Sequence, residues 1–200
     1  MEGSAPEIKR IITLSSGASR GSNIMAIHRY FEDNHLPLTI HTAVFCSPKA
    51  EAISKCAAAG IAQQLIPYQN MHYFETQVLQ LINSNNIALI ALCGFMKRLS
   101  NEFLSALQIP ILNVHPALLP KYGGKGMYGI KVHKAVFEAG EKISGATIHK
   151  VDPVYDHGEI VAQNVVNISD CGSAEEIAHK VLKLEHSIYA PAIYAVLTKS

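Results

Sequence analysis

Ile111-Leu-Asn-Val-His-Pro-Ala-Leu-Leu-Pro-Lys-Tyr-Gly-Gly124 is the stretch from which the chain can be read in both directions. Ile111 to Val114 reads as a short apolar strand. Asn113 and His115 stand at i, i+2, so an extended backbone turns both to one face. Pro116 has no N–H to donate and ends regular pairing. A carboxamide and an imidazole at a strand end, opening into a Gly/Pro loop, suit stabilisation of a developing oxyanion. Asn supplies a neutral N–H donor, and His donates as imidazolium or moves a proton near neutral pH. Taken alone, Asn-x-His also fits a turn-forming asparagine beside a satisfied loop histidine.

Upstream, strands and helices alternate. Lys9 to Ser16 reads as a first strand, and a helix follows with Ile24, Ile27, His28 and Phe31 periodic. A second strand is expected over Leu38 to Cys46, then a helix over Pro48 to Gly60. A third strand over Ala62 to Ile66 leads to a helix over Met71 to Asn83. Ile87 to Leu92 is apolar throughout, as in a central parallel strand covered on both faces. Ser100 to Leu107 and Val132 to Ala139 are further helices. Ala146 to Val151 and Ile160 to Val166 read as neighbouring strands joined by a short loop, hence an antiparallel margin. Ser173-Ala-Glu-Glu176 is a capping box that opens a last helix, limited or kinked by Pro191. The expectation is α/β: an open doubly wound, mostly parallel sheet with an antiparallel C-terminal margin, in a single domain over 1–200. Residues 1–8 are expected to be a disordered extension.

Composition agrees. The 200 residues are 48% hydrophobic and 16% charged, enough for a sizeable core. A net charge of +1 leaves no electrostatic footprint for nucleic acid. The longest apolar run, Ile87 to Phe95, is too short to span a membrane, and the N-terminus lacks the apolar core of a signal peptide. A cytoplasmic protein is expected. Cys46, Cys56, Cys93 and Cys171 form no Cys-x-x-Cys pair and read as free thiols. The ten histidines show no metal-type spacing, and most are expected at the surface.

Ser15-Ser-Gly-Ala-Ser-Arg-Gly-Ser-Asn23 joins the first strand to its helix. A glycine loop at a helix start gathers N–H groups and the positive end of the dipole toward an anion, phosphate being the natural guest, and Arg20 can add a charged donor. Gly17 and Gly21 do not fit Gly-x-Gly-x-x-Gly, and the stretch serves equally as a plain strand–helix turn.

Asn-Val-His-Pro-Ala-Leu-Leu-Pro-Lys-Tyr resembles the signature of the folate-dependent formyltransferases. The resemblance runs from about Arg10 to Ala195 and is strongest to the branch acting on phosphoribosylglycinamide. It implies transfer of the formyl group of 10-formyltetrahydrofolate to the amino group of 5-phosphoribosylglycinamide, in de novo purine synthesis, with no metal ion. It implies Asn113, His115 and Asp156 as the catalytic group, Asp156 being matched through Tyr-Asp-x-Gly in Asp152-Pro-Val-Tyr-Asp-His-Gly158. Asp156 is expected to raise the His115 pKa and favour its protonated form. Gly21, Ser22 and Asn23 match the phosphate loop, which is longer here at Gly17, Ala18, Ser19 and Arg20. Met96, Lys97, Arg98 and Leu99 match the folate-side edge after Gly94-Phe-Met, with Lys97-Arg98 departing from the common pair. Glu185, in Glu-His-x-x-Tyr, matches the contact to the glycinamide part, and Leu182 replaces a polar residue one turn earlier. Lys121-Tyr-Gly-Gly-Lys-Gly-Met-Tyr-Gly129 departs from a shorter loop and is expected to fold over the cleft.

The expected partners are small molecules, with a monomer or homodimer equally compatible. Formyltetrahydrofolate hydrolysis, transfer to another amine, or a silent nucleotide-binding module are the alternatives. The first two occur in relatives with added domains that this sequence does not show. The joint presence of Asn113, His115 and Asp156 argues against the third.

Overall fold

The computed structural model describes residues 7–17 and 20–199. Residues 1–6 of the expected extension, and Ala18 and Ser19 of the longer loop, lie outside the described residues. The elements are β1 (Lys9–Ser15), α1 (Ser22–Asp33), β2 (Leu38–Phe45), α2 (Ala52–Ala58), β3 (Gln63–Leu65), α3 (Met71–Asn85), β4 (Ile87–Leu92), α4 (Asn101–Ala106), β5 (Ile111–His115), α5 (Ile130–Glu138), β6 (Ile143–Lys150), β7 (Ile160–Asn167) and α6 (Ala174–Thr198).

The seven strands form one sheet in the order β3-β2-β1-β4-β5-β6-β7. Pairing is parallel from β3 to β5 and antiparallel for β5–β6 and β6–β7. The strand order reverses between β1 and β4, and the carboxyl ends of strands at such a point are where open α/β sheets bind ligands. The expected antiparallel margin is present. It begins one strand earlier than the hairpin reading, because β6 runs antiparallel to β5 as well as to β7.

The apolar periodicities explain two cores. On one face Ile24, Ile27 and Phe31 of α1, Ala52 and Cys56 of α2, and the apolar stripe of α6 cover Ile11, Leu89, Ala91 and Ile148. On the other, Phe74, Val78 and Ile82 of α3 and Phe103 of α4 cover Ile12, Leu14, Ile90 and Leu92. β4 is buried on both sides, which is why its sequence lacks polar alternation.

Helix α2 starts at Ala52, four residues after the expected Pro48. Helix α6 runs 25 residues through Pro191 without stopping. Tertiary burial of its face outweighs the backbone bond that proline removes: Ile188, Tyr189, Ala190, Ala192 and Ile193 around it are all core residues. All four cysteines are free.

Candidate active site

β5 ends at His115, one residue beyond the expected strand, and so both Asn113 and His115 are held by ladder bonds. Asn113 lies opposite Leu92 on one side and His149 on the other, and His115 lies opposite Thr147. The loop after β6 carries Asp156 back over the strand end. Its carboxylate reaches two imidazoles: Oδ2 is 3.5 Å from His115 Nδ1, and Oδ1 is 3.6 Å from His149 Nε2. The Gly124 N–H donates to Oδ2 at 2.9 Å. The three residues predicted from the sequence therefore converge.

The loop's shape depends on backbone that few residues tolerate. Asp156 has φ 55, a left-handed conformation that short polar side chains accept more readily than others. Gly123 passes so near that an added Cβ would stand 2.5 Å from Leu119 Cδ2 and 3.2 Å from Asp156 Cβ. Only glycine lets the Lys121–Gly129 segment close against Asp156.

The hydrogen bonds assign the tautomers. His115 Nε2 lies 2.8 Å from the Tyr122 carbonyl, which only accepts, so Nε2 carries the proton and Nδ1 faces Asp156. His149 Nδ1 lies 2.9 Å from the Lys150 carbonyl and is likewise the protonated nitrogen. Its Nε2 then accepts from Asn113 Nδ2 at 3.1 Å. That contact fixes the carboxamide with one N–H on His149 and the other left for a ligand. His149 was not singled out in the sequence. Its signal was weak: alternation in Ala-Thr-Ile-His-Lys-Val puts His149 on the same face as Thr147, as in an ordinary strand.

The charges correct one expectation. His115 is 3% exposed, and burial lowers its pKa below the ordinary 6.5. The Asp156 charge and the Tyr122 carbonyl push upward, His149 pushes down, and burial prevails. The resting imidazole is therefore neutral at pH 7, where the neighbouring carboxylate was expected to favour the protonated ring. Burial would raise Asp156, but its contacts with His149, His115 and Gly124 together hold it below the usual 3.8. His133 of α5 is also buried and is pushed down to about 4, by burial and then by His115. Of the ten histidines, His115, His133 and His149 are buried, and the other seven are exposed or half-buried.

The predicted phosphate loop follows β1, which is separated from β5 by β4 in the sheet. Gly21 caps α1 at φ 72, and an added Cβ would lie 2.6 Å from Ala52 Cβ. No side chain caps this helix start, which leaves room for an anion in the cap's place. Lys55 of α2 donates from Nζ to the Arg20 carbonyl at 2.8 Å, bringing to the loop a cation that sequence spacing did not indicate. Ser15 Oγ donates to the Cys93 carbonyl at 2.6 Å, and Ser16 Oγ accepts from the Met96 N–H at 2.7 Å. The loops after β1 and β4 are thereby one assembly. Ser22 opens α1, and Asn23 Nδ2 donates to Glu185 Oε2 at 2.8 Å, tying α1 to α6. Glu185 is not on a solvated helix face: it is 9% exposed, and burial raises its pKa to about 7 against the lowering effect of Asn23. Burial, then Cys56 and Glu185, raise the pKa of the Cys93 thiol. Leu182, one turn earlier, is half-buried.

On the folate-side edge, Met96, Lys97 and Arg98 are exposed, while the Leu99 side chain is in the core. Leu99 can meet a ligand only through its backbone. Lys97 Nζ lies 4.3 Å from the Tyr68 ring centre. Arg98 lies over Tyr155 and donates from Nη2 to the Pro153 carbonyl at 3.0 Å, bracing the loop that carries Asp156. Lys121 is not directed at the cleft; it pairs with Glu141 at 3.1 Å. Among the described residues there is no group of three or more His, Cys, Asp or Glu side chains that could hold a metal ion, and no helix is long and apolar enough to cross a membrane.

The pattern of the formyl transferase family matches residues 9–193. A chloroplastic phosphoribosylglycinamide formyltransferase from Arabidopsis thaliana is 33% identical over 195 residues, 96% of this chain and 66% of that protein. The phosphoribosylglycinamide formyltransferase of Bacillus subtilis is 31% identical over 193 residues, 95% of each chain. The chain thus spans slightly less than two thirds of its plant relatives and nearly all of the bacterial one. Among solved structures, phosphoribosylglycinamide formyltransferase from Brucella melitensis superposes with a TM-score of 0.83 at 32% identity, covering 94% of each chain. Glycinamide ribonucleotide transformylase 1 from Geobacillus kaustophilus gives 0.84 at 29%, covering 96% of this chain and 100% of that one. With a strand-end Asn113–His115 pair under an aspartate, and similarity running from β1 to α6, this chain belongs to the formyl transferase family.

Proposed function

We propose that the protein transfers the formyl group of 10-formyltetrahydrofolate to the amino group of 5-phosphoribosylglycinamide, a step of de novo purine biosynthesis. The observation that carries this reading is the linked set Asn113, His149, Asp156 and His115 at the carboxyl end of β5, beside β4. The formyltransferases similar over nearly the whole chain support the choice of reaction. A cytoplasmic location accords with the full-length likeness to the Bacillus subtilis relative.

The phosphate would sit on the Gly21–Ser22–Asn23 helix start near Lys55. Glu185 and Asn23 then receive the ribose-glycinamide end, and the backbone of Met96, Lys97, Arg98 and Leu99 receives the folate. The glycinamide amine attacks the formyl carbon, and charge grows on the formyl oxygen. The free N–H of Asn113 stabilises it there more than in the ground state, which is what lowers the barrier. Neutral His115 takes the proton lost by the amine on Nδ1. The resulting imidazolium faces the Asp156 carboxylate and can return that proton to the departing folate nitrogen. One such oxyanion donor is worth about 3 kcal/mol, or ~10²–10³ in rate.

The test is folate deformylation measured with and without 5-phosphoribosylglycinamide. Turnover that requires the amine, with formylglycinamide ribonucleotide as product, is expected. Formate release at an undiminished rate without the amine would reassign the chain to hydrolysis.

A further inference from the structure

Helix α3 holds the loop after β4 at two points. At one end the Phe74 ring stacks on Phe95, with centroids 5.4 Å apart and both side chains buried. At the other end Glu75 reaches Ser100. Its Oε1 accepts from the Ser100 N–H at 2.6 Å, and its Oε2 accepts from the Ser100 hydroxyl at 2.6 Å. Ser100 Oγ in turn accepts from the Phe103 N–H at 3.1 Å and caps α4. Glu75 is 6% exposed, and the formyl-transfer chemistry makes no direct use of it. A carboxylate is costly to bury, and two short bonds to a single residue are what compensate it here.

Between the two grips lie Met96, Lys97, Arg98 and Leu99. The Met96 N–H is taken by Ser16 Oγ. Among the described residues, none is hydrogen-bonded to the backbone of Lys97, Arg98 or Leu99. The course of this stretch is therefore set from its ends, and a shift at Ser100 passes into the peptide groups beside it. We infer that Glu75 is a positioning residue for the folate-side edge: by clamping Ser100 it holds the backbone of Met96 to Leu99 where the co-substrate is received. Backbone donors and acceptors recognise a ligand only when held within about 0.5 Å of the productive geometry. Glu75 suits the task because its two oxygens take both donors of one residue, fixing the orientation of Ser100 as well as its place. The identity of the ligand rests on the formyl-transfer reading; the clamp does not.

The experiment uses the full chain and compares KM for 10-formyltetrahydrofolate with KM for 5-phosphoribosylglycinamide. Amide hydrogen exchange over residues 95–100 reads the clamp without any substrate. Glu75→Ala is expected to speed exchange there and to raise the folate KM about tenfold or more, with the amine KM within about twofold. Glu75→Gln can still accept from the Ser100 N–H and can donate to its Oγ, so it is expected to restore both readouts to near normal. Ser100→Ala, a milder cut that keeps the N–H bond, is expected to show the same split at reduced size, so the result does not depend on one variant folding. Ile82→Ala removes core contacts from the same helix about two turns away. It is expected to lower the thermal midpoint without changing the ratio of the two KM values. Equal rises in both KM values for Glu75→Ala and Ser100→Ala overturn the inference, as does the same folate-specific rise in Ile82→Ala. Unchanged exchange over 95–100 in folded Glu75→Ala overturns it as well. Faster exchange there in a protein that transfers no formyl group would uphold the clamp and defeat the functional reading instead.

Discussion

At Asp156 a single carboxylate serves two rings. His149 Nε2 stands 3.6 Å from one oxygen and His115 Nδ1 3.5 Å from the other, which also accepts from the Gly124 N–H. Its charge is needed once His115 gains a proton, because an imidazolium left without a counter-charge in a buried site is expensive. Asp156→Asn keeps the shape and removes that charge. We expect kcat to fall by about 10²-fold or more. The pH profile moves as well. His115 acts as the neutral base, so the rate rises with pH through a pKa that burial holds below 6.5. Without the carboxylate the upward push on that pKa is gone, and the rising limb moves to lower pH. A limb that stays in place or moves upward would mean that Asp156 does not act on His115. The sequence displayed the members of this set through strand-end placement and a loop motif. It did not display His149, because a histidine in an alternating strand reads as a core residue until register places it opposite Asn113. Nor did it display the neutral state of His115. That state is a balance between desolvation and charge, and desolvation depends on how deep the ring lies.

At the scale of elements, the start of α1 is where local chemistry and packing coincide. Gly21 combines a left-handed φ of 72 with a 2.6 Å approach to Ala52, so any larger residue must move both the helix start and α2. We expect Gly21→Val to cost about 1–3 kcal/mol of stability. It should also raise KM for the phosphorylated amine more than tenfold while leaving KM for the folate within twofold. Thermal unfolding and the two KM values measure this. Equal losses for both substrates would indicate general disruption instead of a phosphate loop. The long helices α1, α3 and α6 were legible because their apolar positions recur at helical spacing over several turns. The start of α2 was not, since Pro48 to Glu51 have helix-compatible composition but remain a turn before Ala52. Pro191 does not end α6, because burial of the helix outweighs a local breaker.

Across the whole molecule, two buried groups titrate against folding in opposite senses. Glu185 has a folded pKa near 7, raised above its ordinary 4.5, so its contribution is intact below 4.5 and is lost as pH rises to about 7. His133 has a folded pKa near 4, below its ordinary 6.5, and its contribution is lost as pH falls from 6.5 toward 4. Each is of order 3 kcal/mol, since one pKa unit corresponds to about 1.4 kcal/mol. Glu185→Gln is therefore expected to stabilise the protein at pH 8 by up to ~3 kcal/mol and to have little effect at pH 4, while weakening amine-substrate binding. Denaturant unfolding at the two pH values tests it, and equal effects at both would show that the carboxyl is not buried in solution. The parallel half of the sheet was legible from the alternation of strands and helices, which leaves few permitted crossovers. The β5–β6 antiparallel pairing was not, because the intervening α5 resembles every other crossover helix in the chain. It is this reversal that brings His149 and the Asp156 loop to the end of β5.

The most direct test of the central claim is the single-turnover rate of formyl transfer by His115→Ala with both substrates saturating. The account predicts a loss of 10² or more in that rate, with folate and amine affinities within twofold of the unsubstituted protein. A His115→Ala protein that transfers the formyl group at full rate would contradict it.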